Sequence, residues 1–232
     1  PVQILEEETV YVNQYRFLGA LWAQAELYKG LKFKASFSTD AGYTLDYLYY
    51  NANHPYKEDN GRVIEKNRFI MSNLIETFFT YDNKWGDLTF GALAGHSYQN
   101  TSARANSIDA QNFPSPSFNT IGVAAVISGV TGGLSDYALE SWYGRVNFAW
   151  KDRYVLNATL RADGSSRFAP ACRWGMFPSV SLGWNVSKED FWPYPTTELK
   201  ARASYGKTGN QDGISNYGWQ PLISGGANYG GV

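Results

Sequence analysis

Two segments of this sequence alternate apolar and polar side chains over the length of a strand. In Tyr154–Asp163 the even-numbered positions are apolar and the odd-numbered positions are mostly polar. In Arg173–Ser187 the even positions include Trp174 and Leu182, whereas serine, glycine and asparagine occupy most odd positions. Because successive side chains of a β-strand point to opposite faces, both segments predict a sheet with one apolar and one polar face.

A sheet with one apolar and one polar face is typical of the wall of a transmembrane β-barrel. A tilted strand of roughly 9–11 residues crosses a bilayer. A membrane-spanning helix needs an apolar run of about 20 residues, and the sequence contains none. A β-barrel distributes its apolar residues by alternation, so it combines a modest average hydrophobicity with many aromatic residues. Here 16% of the residues are aromatic. We therefore expect a transmembrane β-barrel wall.

The order of strands and connections supports an antiparallel up-and-down arrangement. Short connections are predicted near residues 29, 84, 152 and 193, and longer polar ones near residues 55, 118, 168 and 210. Thr44–Lys66, which is polar and tyrosine-rich, and Asn100–Tyr137, which is irregular, are predicted to be long connections. Outer-membrane barrels place short turns on one rim and long loops on the other. Eight strands are predicted, at Tyr15–Leu27, Leu31–Asp40, Asn67–Tyr81, Asp87–Gln99, Leu139–Trp150, Tyr154–Asp163, Arg173–Ser187 and Glu198–Thr208.

The sequence contains no recognisable catalytic or metal-binding motif. His54 and His96 are the only histidines, and they lack the spacing of zinc ligands. Cys172 is the only cysteine, which excludes an internal disulfide framework. A formal net charge of −1 gives no electrostatic reason to bind nucleic acid. The sequence thus predicts a protein that is not an enzyme and carries neither cofactor nor metal.

Three sequence motifs resemble one family. They are LRADGSSRF at Leu160–Phe168, RWGMFPSVSLGW at Arg173–Trp184 and LKARASYGKTGNQ at Leu199–Gln211. In this order they resemble the SusC/RagA family of TonB-dependent outer-membrane transporters of the Bacteroidetes. The sequence departs from the family pattern at Ala169–Cys172, where family members usually have glycine followed by polar residues.

The resemblance implies a large all-β protein of which this chain is a part. Family members have a barrel of about 22 strands, so residues 1–232 are expected to supply about eight strands of a transmembrane β-barrel domain. The plug domain, the TonB box and the C-terminal strands are expected to lie outside this internal fragment. The resemblance also implies import of glycans or peptides across the outer membrane. The implied partners are outer-membrane lipid, a SusD-like lid lipoprotein and TonB, which acts through the N-terminal region.

Two groups of residues in the family motifs and in the strand before them are candidates for function. The first group forms a predicted rim turn, which either faces ligand or is a glycine-permitted turn with an Asp163–Arg167 or Arg161–Asp163 contact; it comprises Asp163, Gly164, Ser165, Ser166 and Arg167. The second group lies on the polar face and is expected to join charge networks in the barrel lumen; it comprises Arg145, Arg161, Lys200 and Arg202.

A tyrosine-rich segment is a third candidate, for substrate binding. Aromatic rings with polar tips can stack on sugars, and the alternative is a loop that packs on its neighbours or on the lid protein. The residues are Tyr47, Tyr49, Tyr50, His54 and Tyr56. The competing interpretations of the whole chain are a soluble β-rich carbohydrate-binding module and an outer-membrane adhesin or enzyme with a small closed barrel.

Overall fold

The chain forms one antiparallel sheet of eight strands that follow each other in sequence order. The computed structural model describes residues 7–54, 60–194 and 196–221. The strands are β1 (Glu8–Tyr28), β2 (Leu31–Tyr50), β3 (Arg62–Trp85), β4 (Leu88–Gln111), β5 (Val126–Trp150), β6 (Tyr154–Ser165), β7 (Trp174–Asn185) and β8 (Lys200–Gly206). The predicted all-β, up-and-down fold is confirmed. No helix in the described parts of the chain is long and apolar enough to span a membrane.

The register of β5 to β8 confirms the predicted alternation. Leu160 pairs with Gly144 and Pro178, and Leu156 pairs with Leu182. Cross-strand partners share a face, so apolar side chains from four strands gather on one side of the sheet. Leu160 is 49% exposed and Leu182 is 57% exposed. A contiguous exposed apolar surface of this kind is typical of a face that contacts lipid.

Tight turns connect several neighbouring strands. Gly30, between β1 and β2, has φ of 82°. A Cβ there would collide with the carbonyl oxygen of Asp82, so only glycine fits this left-handed position. Between β5 and β6, Lys151 and Asp152 both have φ of 53°. The short connections predicted near residues 29, 84 and 152 are therefore present, whereas the connection from β7 to β8 spans residues 186–199 and is longer than predicted.

Strands β1 to β5 are much longer than predicted. They have 20–25 residues each, about twice what a bilayer requires. The prediction that Thr44–Lys66 and Asn100–Tyr137 are connections is wrong over much of their length, because β2, β3, β4 and β5 extend into these ranges. The loop between β4 and β5 is confined to residues 112–125. Where both faces of a strand meet water, polar residues are tolerated on both sides and the alternation disappears.

The chain divides into two compact units. Unit 1 comprises Pro1–Gly19, Thr39–Asn73 and Thr101–Asp136, and unit 2 comprises Ala20–Ser38, Leu74–Asn100 and Tyr137–Val232. Unit 1 has a small core in which Tyr49, Val63, Ala110 and Phe113 are buried. Its strands are also joined by an ion pair of Arg62 with Asp109. Unit 2 contains the three family motifs and the candidate rim turn.

Candidate functional site at the loop rim

The charge contact of the rim turn is made within β6. Arg161 Nε donates a hydrogen bond of 2.7 Å to Asp163 Oδ1. The same guanidinium donates through Nη2 to Ser141 Oγ on β5 at 2.9 Å, and Ser141 is fully buried. Of the two contacts predicted for this turn, the Arg161–Asp163 pair is therefore the one that forms.

Arg167 instead binds the segment that follows β8. Its Nε donates to Asn216 Oδ1 at 2.9 Å, and its Nη1 donates to the Gln211 carbonyl oxygen at 3.2 Å. The guanidinium carbon lies 4.4 Å from the ring centroid of Tyr137, a cation–π distance. In the same region Trp219 Nε1 donates to the Ser166 carbonyl at 3.1 Å. We call residues 207–219 the capping segment, because these contacts hold it over the turn.

The serines and the glycine of the turn also make local contacts. Ser165 Oγ accepts a hydrogen bond from the Arg167 amide at 3.2 Å, and Ser166 Oγ accepts one from the Ala138 amide at 2.8 Å. A Cβ on Gly164 would press on the Trp174 ring at 2.8 Å. These contacts support the view of residues 163–167 as a shaped turn, and direct ligand contact by its residues stays a prediction.

One pocket, of about 440 Å³, is lined in part by the apolar residues Leu160 and Met176. A second pocket, of about 340 Å³, lies on the polar face beside the turn. Its lining includes Asp163, Phe168, Cys172, Arg173, Phe177 and Gln211. Two buried polar atoms of that lining, Arg173 Nε and Gln211 Oε1, lack a hydrogen-bond partner within the described structure. We call this the rim pocket.

The tyrosine-rich segment lies in unit 1, and two of its members support the fold there. The Tyr47 hydroxyl donates to the Asn119 carbonyl at 2.8 Å, and the Tyr49 hydroxyl donates to the Pro116 carbonyl at 2.9 Å. Tyr49 is only 7% exposed, which leaves little of its ring for a sugar. The remaining members are Tyr50 and His54, whose rings lie 5.0 Å apart, and Tyr56, which falls outside the described residues. Sugar stacking by this group stays a prediction.

The four predicted lumen charges share the polar face. Arg145 pairs with Thr159, Arg202 with Gly183 and Lys200 with Asn185, all in the register that carries Arg161. Arg161 has the partners given above. Within the described ranges the ion pairs do not involve Arg145, Lys200 or Arg202. Their participation in a lumen charge network stays a prediction.

A charged cluster at the opposite end of β6 was not anticipated from the sequence. Arg153 donates to Glu189 at 2.9 Å and to Asp190 at 2.8 Å. Trp184 Nε1 donates to Glu189 at 2.9 Å. Hydrogen bonds from Tyr154 and Trp184, with the nearby charge of Arg153, lower the pKa of Glu189. The cluster fastens the β7–β8 connection to the turn before β6.

The sequence also failed to reveal most of the partners of Arg167. Tyr137 and Asn216 lie outside the three motifs, and nothing in their spacing indicates contact with Arg167. Gln211 does lie inside a motif, so the family resemblance was the available signal for this partner.

Comparisons with known proteins agree on one family. A sequence model for "TonB dependent receptor-like, beta-barrel" matches residues 8–232. TonB-dependent receptor P39 of Formosa agariphila is 33% identical over 171 residues, which are 70% of this chain and 16% of that protein. TonB-dependent receptor SusC of Bacteroides thetaiotaomicron is 41% identical over 86 residues, 36% of this chain and 9% of that protein.

Solved structures show the same fold. The RagAB peptide transporter superposes with a TM-score of 0.89 at 23% identity, covering 94% of this chain and 25% of that chain. The RagAB peptide importer in its closed-closed state gives a TM-score of 0.90 at 22% identity, covering 98% and 26%. The chain thus spans about a quarter of these solved chains.

Proposed function

The chain belongs to the family of TonB-dependent receptor-like β-barrels of the outer membrane, and on that premise we propose that it forms part of the wall and vestibule of a nutrient importer. The observation that carries this proposal is the two-faced sheet of β5 to β8. Its apolar face exposes Leu160 and Leu182, and its polar face carries Arg145 and Arg161. A wall between lipid and an aqueous lumen requires this division.

The length of β1 to β5 supports the vestibule. A strand of 20–25 residues has roughly ten more than a bilayer crossing needs. Long strands on one rim, folded around their own core at Tyr49, Val63 and Phe113, would stand above the membrane as an extracellular extension. The chain would thereby line the path that substrate takes before it reaches the pore.

Glycans or peptides are the proposed cargo. The proposed partners are a SusD-like lipoprotein, which acts as a lid, and TonB, which delivers the energy for import. Support comes from the names of similar proteins, SusC among the relatives and the RagAB peptide importer among the structures. A soluble carbohydrate-binding module is disfavoured, because a soluble protein seldom exposes a continuous apolar surface of this size.

Uptake by cells tests the proposal. A strain that lacks the full-length gene should lose import of either a labelled oligosaccharide pool or a labelled peptide pool, and the full-length gene should restore it. A protonophore should abolish the restored uptake, because the TonB system draws on the proton gradient. Unchanged uptake of both pools in the deletion strain would show that the protein is not an importer of these nutrients.

A further inference from the structure

A polar cluster interrupts the apolar face of the sheet. Glu140 Oε1 accepts hydrogen bonds from His96 Nε2 at 3.1 Å and from Trp142 Nε1 at 3.2 Å. The His96 ring also packs on the Trp142 ring, with 4.3 Å between the centroids. Trp142 pairs with Ala162, and Ala162 pairs with the exposed Met176, so the cluster lies on the apolar side. Ionisable side chains on a lipid-facing surface are rare and usually functional.

The depth of this cluster in the membrane follows from the register. Trp150, Tyr154 and Trp184 form a row of cross-strand partners beside the short β5–β6 turn, and such an aromatic row marks one interface of the membrane. Glu140 precedes Trp150 by ten residues on β5. At about 3.3 Å per residue and a tilt of about 40°, ten residues span about 25 Å along the membrane normal. This is the height of the apolar band of a barrel, so the cluster lies in the opposite interface, which is the outer leaflet in the proposed topology.

Between the cluster and the short turns, two adjoining cavities hollow the apolar face. The first has a volume of about 440 Å³ and includes His96 and Trp142 in its lining. The second, of about 610 Å³, reaches Val146 and Ala158, nearer the short turn. The two cavities share small residues as floor and large apolar residues as walls, namely Phe79, Ala94, Gly144 and Leu160. We call the pair the apolar groove, and its position below a polar cluster suits an acyl chain below a headgroup.

The cluster presents hydrogen-bond acceptors to its surroundings. Both bonds to the Glu140 carboxylate end on Oε1, so Oε2 has no partner among the described residues. His96 donates through Nε2, and in its neutral form the ring keeps Nδ1 as an acceptor. Trp142 is 56% exposed and offers part of its ring surface. A complementary headgroup therefore brings hydroxyl or amide donors together with an apolar C–H surface.

An acylated glucosamine lipid combines these features. Its hydroxyl and amide N–H groups donate hydrogen bonds, its sugar ring has C–H faces, and its acyl chains are apolar. This is the chemistry of lipid A, the glycolipid of the outer leaflet of outer membranes. Phosphatidylethanolamine would bring an ammonium group for Glu140 but no ring for Trp142, and a purely anionic headgroup would be repelled by the carboxylate.

We propose that His96, Glu140 and Trp142 bind the glucosamine headgroup of one lipid A molecule, and that one of its acyl chains lies in the apolar groove. Trp142 packs on the sugar ring, and Glu140 Oε2 accepts a hydrogen bond from a hydroxyl or amide group. The proposal rests on the lipid-facing wall of the proposed function, and it is independent of the cargo.

Lipid retention by the full-length transporter tests the site. The folded barrel, purified in detergent, is titrated with lipid A or with phosphatidylethanolamine, and native mass spectrometry counts the lipid molecules retained. The first lipid A molecule should bind at least about tenfold more tightly than phosphatidylethanolamine, the equivalent of one hydrogen bond. This comparison uses the unchanged protein and does not depend on any variant.

Glu140→Gln tests the headgroup contact. The amide oxygen can keep the bonds from His96 and Trp142, whereas the amide nitrogen replaces Oε2 and cannot accept a hydrogen bond. Lipid A binding should weaken about tenfold. Glu76→Gln is the matched control, because Glu76 lies near Tyr143 on the polar face, and it should bind lipid A like the unchanged protein.

Gly144→Leu tests the groove by filling it. A Cβ at Gly144 meets no atom nearer than the Leu93 carbonyl oxygen at 3.7 Å, so the backbone accepts a side chain. Lipid A binding should weaken about tenfold, because about two methylene groups of the chain lose their burial. Gly183→Leu, on the polar face with its nearest contact at 3.6 Å from Val155, is the control. Heat modifiability verifies that each variant is folded.

The outcomes separate the lipid site from the wall. Weaker lipid A binding in Glu140→Gln and Gly144→Leu, with both controls unchanged, supports the site. Equal binding by all four variants, or equal retention of phosphatidylethanolamine, refutes the site and leaves the lipid-facing wall intact. A dimer that covers the groove and excludes lipid would assign the groove to a second copy of the chain and also overturn the proposal. A full-length protein that stays monodisperse without detergent would refute the wall itself.

Discussion

Arg167 Nε donates a hydrogen bond of 2.9 Å to Asn216 Oδ1, although 49 residues separate the two in the chain. With the bond to the Gln211 carbonyl and the contact with Tyr137, one guanidinium joins the β6–β7 connection, the middle of β5 and the capping segment. The rim pocket lies next to this junction. The position of Gln211 in the pocket therefore depends on Arg167.

Replacing Arg167 should loosen the capping segment. Arg167→Met keeps much of the aliphatic stem but loses the hydrogen bonds and the cation–π contact, at a local cost of about 1–3 kcal/mol. Amide hydrogen exchange in residues 209–218 of the full-length transporter should accelerate roughly tenfold or more. Arg145→Met, a polar-face arginine outside the described ion pairs, is the control. Equal exchange in both variants would show that Arg167 does not hold the segment.

The two faces of the sheet should tolerate charge differently. Leu160→Arg or Leu182→Arg places a cation on the apolar face and should cost about 2–4 kcal/mol near the midplane of the bilayer. Thr159→Arg, on the opposite face of the same strand, should be milder. Assembly is measured by the amount of folded, heat-modifiable barrel in the outer membrane. Equal losses on both faces would argue against a lipid-facing wall.

Acid should weaken the junction around Glu189. In the folded protein the pKa of Glu189 is lower than its ordinary value of 4.5. The main cause is the hydrogen bond from the Tyr154 hydroxyl, and Trp184 and Arg153 add to it. A lowered pKa means that the stabilisation is present above about pH 4.5 and is lost as the pH falls through the lowered value. Glu189→Gln should remove this part of the pH dependence of thermal unfolding, while Glu198→Gln in the same connection should keep it. Identical pH profiles for the two variants would contradict the assignment.

Labelling of intact cells should reveal which rim faces outward. In the full-length protein without other reactive cysteines, an impermeant maleimide should label Cys172 beside the long loops, unless a lid covers it. A cysteine placed at Asp152, in the short turn between β5 and β6, should label only after the outer membrane is permeabilised. The opposite pattern would invert the topology and place the rim pocket in the periplasm.

The 232 residues expressed alone should not remain monomeric in plain buffer. The sheet order places β1 and β8 at its two ends, and a strand edge without a partner templates association. The exposed apolar face adds a second cause. Size-exclusion chromatography and light scattering should report oligomers or aggregate, and added detergent should disperse them in part. A monodisperse monomer with a cooperative melt would support the soluble-module interpretation.

The sequence predicted most accurately the strands that lie against lipid. In β6 and β7 the bilayer imposes an apolar residue at every second position, so the pattern from Tyr154 to Asn185 could be read directly. The bounds of these strands differ from prediction by only a few residues. The short turns at Gly30 and Lys151–Arg153 were also predictable, because little chain is available between the strands.

The outer parts of β1 to β5 could not be predicted in the same way. In Thr44–Tyr50 the face of Thr44 and Asp46 also carries Leu48 and Tyr50, so its alternation is incomplete. Its strand geometry depends on pairing with distant chain rather than on its own pattern. Phe113, which packs in the same buried cluster as Tyr49, lies 64 residues away in the chain. In the rim, the bond of Arg167 to Asn216 joins a recognisable motif to a residue without any local signal.

The small core of unit 1 has a thermodynamic consequence for the proposed vestibule. Tyr49, Val63 and Phe113 are packed together in the chain without a ligand. The entropic cost of ordering these strands is therefore part of folding and not of ligand binding. A ligand that meets a wall of paired strands avoids most of the ordering cost that mobile loops would impose. In the proposed vestibule, even a weak contact would then contribute almost its full interaction free energy to holding a ligand.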